Sequence, residues 1–514
     1  MSMFNLLDEA WIPVRLHDGS RSALGIRSVL LQSRKIAVIE DPSPLVTAAV
    51  HRLLLALLYR ALGGPTDIDQ ARALFTNGLP ATLISEYLHR WRDRFWLFDQ
   101  AFPFFQVPGY EPRSAKGKEQ WKPWTVIAAE HNGDNSKVLF DHVDVTNAGA
   151  IPSNDAARWL VACQTYALGG GNSDFQYTRT GPSATSLMVL PLGVSLHDTL
   201  VLSLVPENRE VLKEDKPLWE REPDSISALE RGDSRSIAGY ADLYTWRSRS
   251  IRLRPSGDGK AVDALLFASG MACSTEDFTD PMVGYRIDAH RGRLPIQLRD
   301  RGLWREFDSI LPDNGDLAPR VIEHAATLGK SARERFPRSV IVVGQANNKA
   351  KVEYWRFERF SLPGALAGDR LIRDEIKRLL SDADDTSRSL WAACASVARD
   401  VLSRGDRSPA KQDVRSFVEQ TAVLTQYWSA LEARFHEVLS ACTLERESDD
   451  IRHDWLMEVR EALNTAWSQY RHSLSGGDAW VIRAIAKAER SVLRELSRLK
   501  GEITEPAPER EPIT

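Results

Sequence analysis

Between Phe417 and Cys442 the apolar residues fall at Phe417, Thr421, Leu424, Trp428, Leu431, Phe435, Val438 and Cys442, alternating steps of four and three. A helix with that spacing carries one continuous apolar seam, and the seam must be covered by another helix. Leu390, Cys394, Val397 and Val401 repeat the steps; Trp455, Val459, Ala462, Ala466 and Tyr470 suit a third helix, and Ile482, Ile485, Val492, Leu496 and Leu499 a fourth. Turn formers separate them at Arg404-Gly405-Asp406, Ser448-Asp449-Asp450 and Ser475 to Asp478, with Asp478 placed to cap the last helix and Gly501 to end it. The spacing predicts an antiparallel four-helix bundle over residues 366–502. Residues 503–514 are polar and proline-rich and read as a disordered tail.

Upstream of Pro363-Gly364 the pattern changes. Short apolar, β-branched runs at Leu187–Leu192 and Ser339–Val343 alternate with helical stretches at Leu45–Leu62 and Ile84–Arg94. No regular βαβ alternation and no internal repeat is present. Residues 1–365 therefore read as one large mixed α/β domain, and the fold class as α+β.

Composition narrows the functional classes. Sixty-six Lys and Arg against 70 Asp and Glu leave a formal net charge of −4, so any nucleic-acid surface must be a local patch. The four cysteines are scattered, which argues against a zinc ribbon or a disulfide framework. The start, MSMFNLLDEAWIPV, has no basic leader pattern, and the apolar run Leu53–Leu58 is too short to span a bilayer. A soluble, cytoplasmic protein is expected. The sequence has no GxxxxGK[ST], GxSxG or HExxH. Asp141, His142 and Asp144 form the one grouping that suits metal-assisted phosphoester hydrolysis, and nothing supplies its further ligands. No cofactor, resident metal or catalytic residue is expected.

Several segments suit contact with a polyanion. Gly169, Gly170 and Gly171, followed by Asn172, let a backbone approach a groove or phosphates closely; they also suit an ordinary turn. Asn347, Asn348 and Lys349 follow an apolar strand and read as a polar hairpin tip. Arg247 and Arg249 fall on one face of a strand, and Arg286 and Arg291 lie in a second basic segment; together they are read as a surface patch. Arg483, Lys487, Arg490, Arg494 and Arg498 form a stripe along the last helix, a track for a nucleic-acid strand or a solvated face. His131, Asn132 and Asn135 belong to a polar loop without periodicity.

Four stretches in order resemble the large subunits of type I-E CRISPR Cascade complexes, the CasA family: FNLLDEAWIPV (Phe4 to Val14), FDQAFPFFQ (Phe98 to Gln106), Gly169–Gly171 with Arg179-Thr180-Gly181, and GQANNKA (Gly344 to Ala350). With the C-terminal helices, the resemblance spans nearly the whole chain. It implies a family-specific fold for residues 1–365. It also implies a non-catalytic subunit that reads a short flanking motif (PAM) in double-stranded DNA, while a guide RNA reads the target. The glycine loop would lie in the minor groove and the Asn347–Lys349 tip would act as a wedge between bases. The family often has glutamine where Lys349 stands; that departure weakens the case for direct base readout, while a lysine can still contact phosphate. A supporting basic residue falls within Arg286 to Arg291, and the loop at His131 would dock on the RNA-bearing backbone. The implied partners are the other Cascade subunits with CRISPR RNA, duplex target DNA, and a helicase-nuclease recruited after strand opening. The rival readings are a metal-dependent nuclease at Asp141 and His142 and a purely structural helical scaffold.

Overall fold

The protein is described from a computed structural model covering residues 4–112, 121–131, 148–169, 175, 180–274, 278–299, 301–311, 315–329, 339–348, 351–361, 370–441, 447–474, 476 and 478–504. The chain divides into two compact units. One comprises Met1–Arg301 with Asp308–Phe360; the other comprises Gly302–Phe307 with Ser361–Thr514.

The first unit is built around the helix Pro44–Leu62. The Ser43 hydroxyl accepts from the Val46 N–H at 3.2 Å, Pro44 occupies the first turn, and Gly63 ends the helix at φ 60°. Every residue from Leu45 to Tyr59 is buried, including His51 and Arg52. By length and composition this helix could cross a membrane, but here it is a core helix. Arg52 forms an ion pair with Asp280 and lies 4.6 Å above the Tyr244 ring. A buried charge needs such a partner.

The unit also contains three small antiparallel sheets. The first orders Arg21–Leu24, Ile12–Leu16 and Ile36–Ile39; the second orders Lys351–Ser361, Ser339–Asn348 and Met188–Leu192; the third orders Ile151–Pro152, Ala261–Ser269 and Arg249–Pro255. The N-terminal FNLLDEAWIPV stretch is structural. Asn5 Oδ1 accepts from the Leu7 N–H at 3.0 Å, and the Trp11 indole donates to the Leu6 carbonyl at 2.8 Å.

The second unit is helical: Arg370–Ser403, Lys411–Gln420, Val423–Ala441, Ser448–Leu474 and Ala479–Thr504. The continuous helix expected from Phe417 to Cys442 is instead two, because Ala422 takes φ 51°. The buried line on the longer piece is therefore Val423, Tyr427, Leu431, Phe435 and Leu439, a plain four-residue repeat. Trp428 is half-buried beside that line, with the Arg305 guanidinium 3.5 Å over its ring. Trp455, Val459, Ala462, Ala466 and Tyr470 are all buried as their spacing predicts. Ile482 departs from the expected seam and is 57% exposed. Asp478 accepts from the Trp480 N–H at 2.8 Å, but Gly501 does not end the helix, which continues to Thr504. The 302–307 insertion fills the helical core: Trp304 packs against Trp428 at 5.6 Å and Phe435 at 5.1 Å between ring centroids.

Candidate functional site

The helix Ser153–Tyr166 ends where the glycine segment begins. Its root is closed by two hydrogen bonds: the Gly181 N–H donates to the Ala167 carbonyl at 2.9 Å, and the Gly169 N–H donates to Thr180 Oγ1 at 3.1 Å. A Cβ at Gly181 would lie 2.7 Å from Ser248 Oγ, so that closure leaves no room for a side chain. Gly170, Gly171 and Asn172 lie outside the described residues.

Arg247 and Arg249 are not part of a surface patch. They are 4% and 2% exposed. The Arg249 guanidinium donates to the Leu168 carbonyl, directly before Gly169, and to the Ser248 carbonyl at 2.6 Å. Its N–H donates to Gln164 Oε1 at 2.8 Å, while Gln164 Nε2 donates to the Phe105 and Arg249 carbonyls at 3.0 and 2.9 Å. Burial pushes the Arg249 pKa down, because the charged form loses water. The strand begins only at Arg249, so Arg247 lies before it, and residues 246–251 are buried on both parities rather than on one face.

The FDQAFPFFQ stretch supports this root. Gln106 Nε2 donates to the Leu97 carbonyl at 2.6 Å, Gln106 Oε1 accepts from the Leu253 N–H at 2.8 Å, and its carbonyl accepts from Arg247 Nη1 at 3.0 Å. Phe105 holds φ 56°, a strained value for a non-glycine residue. Gln106, Gln164 and Gln345 were not singled out by sequence reasoning. Their signal, an amide within or at the end of an apolar run, is present but weak at all three.

The polar hairpin joins the same helix end. Its strands, Ser339–Asn348 and Lys351–Ser361, leave residues 349–350 between them. Gln345 is buried, and its Nε2 donates to the Tyr166 carbonyl at 2.6 Å and the Ala184 carbonyl at 2.9 Å. Asn347 and the Asn348 backbone sit at the strand end; Lys349 lies outside the described residues.

Arg286 and Arg291 are exposed on the hairpin Tyr285–Asp288 and Gly292–Pro295. Asp288 accepts the His290 and Arg291 N–H groups at 2.9 Å each, which holds its pKa below the usual carboxylate value. This hairpin is tied to the second sheet: the Leu187 N–H donates to the Ile296 carbonyl at 3.0 Å, and the Val189 N–H to the Met282 carbonyl at 2.8 Å. The structure thus brings the glycine root, the polar hairpin and the basic hairpin onto one framework, and removes Arg247 and Arg249 from its surface.

His131 packs edge-on between Trp124 and Trp159, with centroids 5.4 and 5.6 Å away; Asn132, Asn135, Asp141, His142 and Asp144 lie outside the described residues. In the helical unit the stripe residues are exposed. Lys487 pairs with Asp400 at 2.9 Å, and Arg498 pairs with Glu495 at 2.6 Å and with Glu502. Among the described residues no three His, Cys, Asp or Glu side chains are grouped to hold a metal ion.

Residues 5–466 match the family model for the CRISPR-associated protein Cse1. The chain is 33% identical over 517 residues to the CRISPR-associated protein CasA/Cse1 of Thermus thermophilus, an alignment covering 98% of this chain and 99% of that protein. A crystal structure of Thermus thermophilus CasA is similar at a TM-score of 0.84 and 30% identity, covering 96% of this chain and 99% of that one. A chain in a structure described as a CRISPR RNA-guided surveillance complex shares the fold at a TM-score of 0.71 and 17% identity, covering 96% of this chain and 99% of that one. This chain therefore belongs to the CRISPR-associated Cse1 family, also called CasA.

Proposed function

We propose that this chain is the non-catalytic large subunit of an RNA-guided CRISPR surveillance complex. In this reading it recognises the flanking motif in duplex DNA through Gly169 to Asn172 and starts strand separation with the hairpin at Asn347 to Lys349. Arg286 and Arg291 contribute phosphate contacts, and the segment beginning at His131 docks on the RNA-bearing subunits. Opened DNA then favours recruitment of a separate helicase-nuclease, in the cytoplasm.

The observation that carries the reading is the shared root. Arg249 holds the Leu168 carbonyl and Gln345 holds the Tyr166 carbonyl, so the two segments depart from backbone positions two residues apart. A motif reader and a strand separator must act on adjacent base pairs, and a common rigid base gives them that register. Opening a base step costs a few kcal/mol, which contacts made by the reader offset.

The test is a gel shift of motif-bearing duplex with the assembled RNA-loaded complex, with and without this subunit, scoring cleavage in Mg²⁺ or Mn²⁺ alongside. Salt-sensitive, motif-dependent binding without cleavage is expected. Cleavage lost on Asp141→Ala and His142→Ala would establish the nuclease reading instead. Binding that does not change when the subunit is left out would reduce it to a scaffold.

A further inference from the structure

On the other side of the Phe102–Gln106 backbone lies a small half-open cavity of about 30 Å³, lined by Arg94, Phe102, Trp219, Arg221 and Arg247 among others. Its electrostatics are unusual. Arg247 is 4% exposed and already gives its two terminal nitrogens to Gln106 and Asp224, yet its buried Nε has no acceptor among the described residues. Arg221 reaches Asp242 at 3.2 Å, but Asp242 is also claimed by Arg235 at 2.6 Å. Burial lowers the Arg221 pKa. Among the described residues Arg94 is balanced by Glu222, 3.3 Å away and 81% exposed, a solvated partner of little energetic weight. Three guanidinium groups, Arg94, Arg221 and Arg247, thus line the cavity, and of their carboxylate partners Asp242 is shared with Arg235 and Glu222 is exposed.

A buried guanidinium N–H without an acceptor is relieved by an oxyanion, which forms charge-assisted hydrogen bonds with it. The cavity holds about one or two water-sized groups, which admits oxygens of a phosphate and excludes a base. At its mouth the Arg94 guanidinium lies 3.3 Å over the Phe102 ring, forming a flat cationic and aromatic platform. An arginine-lined cavity that admits phosphate oxygens and a stacking platform together match one nucleotide unit of a single strand.

We infer that this cavity is a subsite for one nucleotide of single-stranded nucleic acid, its phosphate held by Arg221 and Arg247 and its base stacked on the Arg94–Phe102 platform. The inference rests on the nucleic-acid reading above but concerns a site separate from the glycine and hairpin segments. Arg247 lies two residues before Arg249, so the subsite and the glycine root are adjacent along the chain.

The test uses the full chain and a short oligothymidylate carrying one 5-iododeoxyuridine. Photo-crosslinks are expected on the peptide bearing Phe102 or on that bearing Trp219. Arg94→Ala should weaken binding roughly tenfold, within the range of one stacked base, with an unchanged melting temperature. Phe102→Leu should remove the crosslink to its peptide. Crosslinks confined to other peptides, with both variants binding like the parent chain, would overturn the inference. Displacement of the oligonucleotide by a glutamate-rich peptide at lower concentration would also overturn it, and would assign the cavity to a protein carboxylate. Motif-dependent duplex binding by the complex, measured in parallel, separates the outcomes: if it persists while crosslinking fails, only the subsite falls.

Discussion

Gln345 donates to the Tyr166 carbonyl at 2.6 Å, so a strand far along the sequence is fastened to the last turn of the helix that leads into the glycine segment. Its second bond, to the Ala184 carbonyl at 2.9 Å, makes the amide a two-way clamp. Gln345→Glu replaces both donors with acceptors facing carbonyls. The loss should be about 2–4 kcal/mol at pH 8, the cost of two buried groups left unpaired, and smaller at pH 4, where a protonated acid can donate once. Urea unfolding at the two pH values checks this; equal losses would contradict the clamp.

Arg52 and Asp280 form the buried ion pair at the centre of the first unit. Arg52→Met should cost about 3–5 kcal/mol, because it leaves the buried Asp280 carboxylate without its counter-charge. Adding Asp280→Leu should restore part of that loss. Chemical denaturation of the single and double variants tests it, and a double variant less stable than the single one would count against the pair's isolation.

Glu130 sits against Ser43, its Oε1 2.5 Å from the hydroxyl, and burial followed by the nearby Asp41 pushes its pKa up to about 7. A carboxyl raised in the folded state contributes stability fully below its ordinary value near 4.5 and loses it as pH rises through about 7. Glu130→Gln should therefore stabilise the protein at pH 8, by about 1–3 kcal/mol after allowance for partial exposure, and change little at pH 4.5. His51 and His324 run the other way. Burial lowers each to about 4, so stability present above 6.5 is lost as pH falls toward 4. Melting curves across this range should show both slopes.

Trp304 belongs to the helical unit although it lies more than sixty residues before the first helix there. Trp304→Ala should cost about 3–5 kcal/mol, the range for a buried aromatic. Trp428→Ala should cost less, since its ring is half-buried. Thermal unfolding of the two variants gives the order directly.

The helices were legible because burial imposes a period, and Trp455 to Tyr470 shows it undisturbed. The break at Ala422 was not, since a single left-handed residue leaves the apolar spacing on either side almost intact. Nor was Trp304, whose partners Trp428 and Phe435 lie over a hundred residues away. At the candidate site the glycine run and the Asn-Asn pair were visible as local chemistry. Arg247 and Arg249 misled because charge density in sequence does not reveal that the whole stretch 246–251 is buried, and the carbonyls they satisfy belong to distant segments.

The glycine and hairpin segments share a root and, in the proposed function, perform separate acts. Complex formation should be measured on intact motif-bearing duplex and on a target with a bubble opened beside the motif, using the assembled RNA-loaded complex. Gly170→Asp places a carboxylate where close backbone approach is needed, and should weaken binding on both targets. Asn348→Ala with Lys349→Ala should spare the first encounter, slow opening of the intact duplex, and recover on the bubbled one. Rescue of both variants by the bubble, or of neither, would contradict this division of labour.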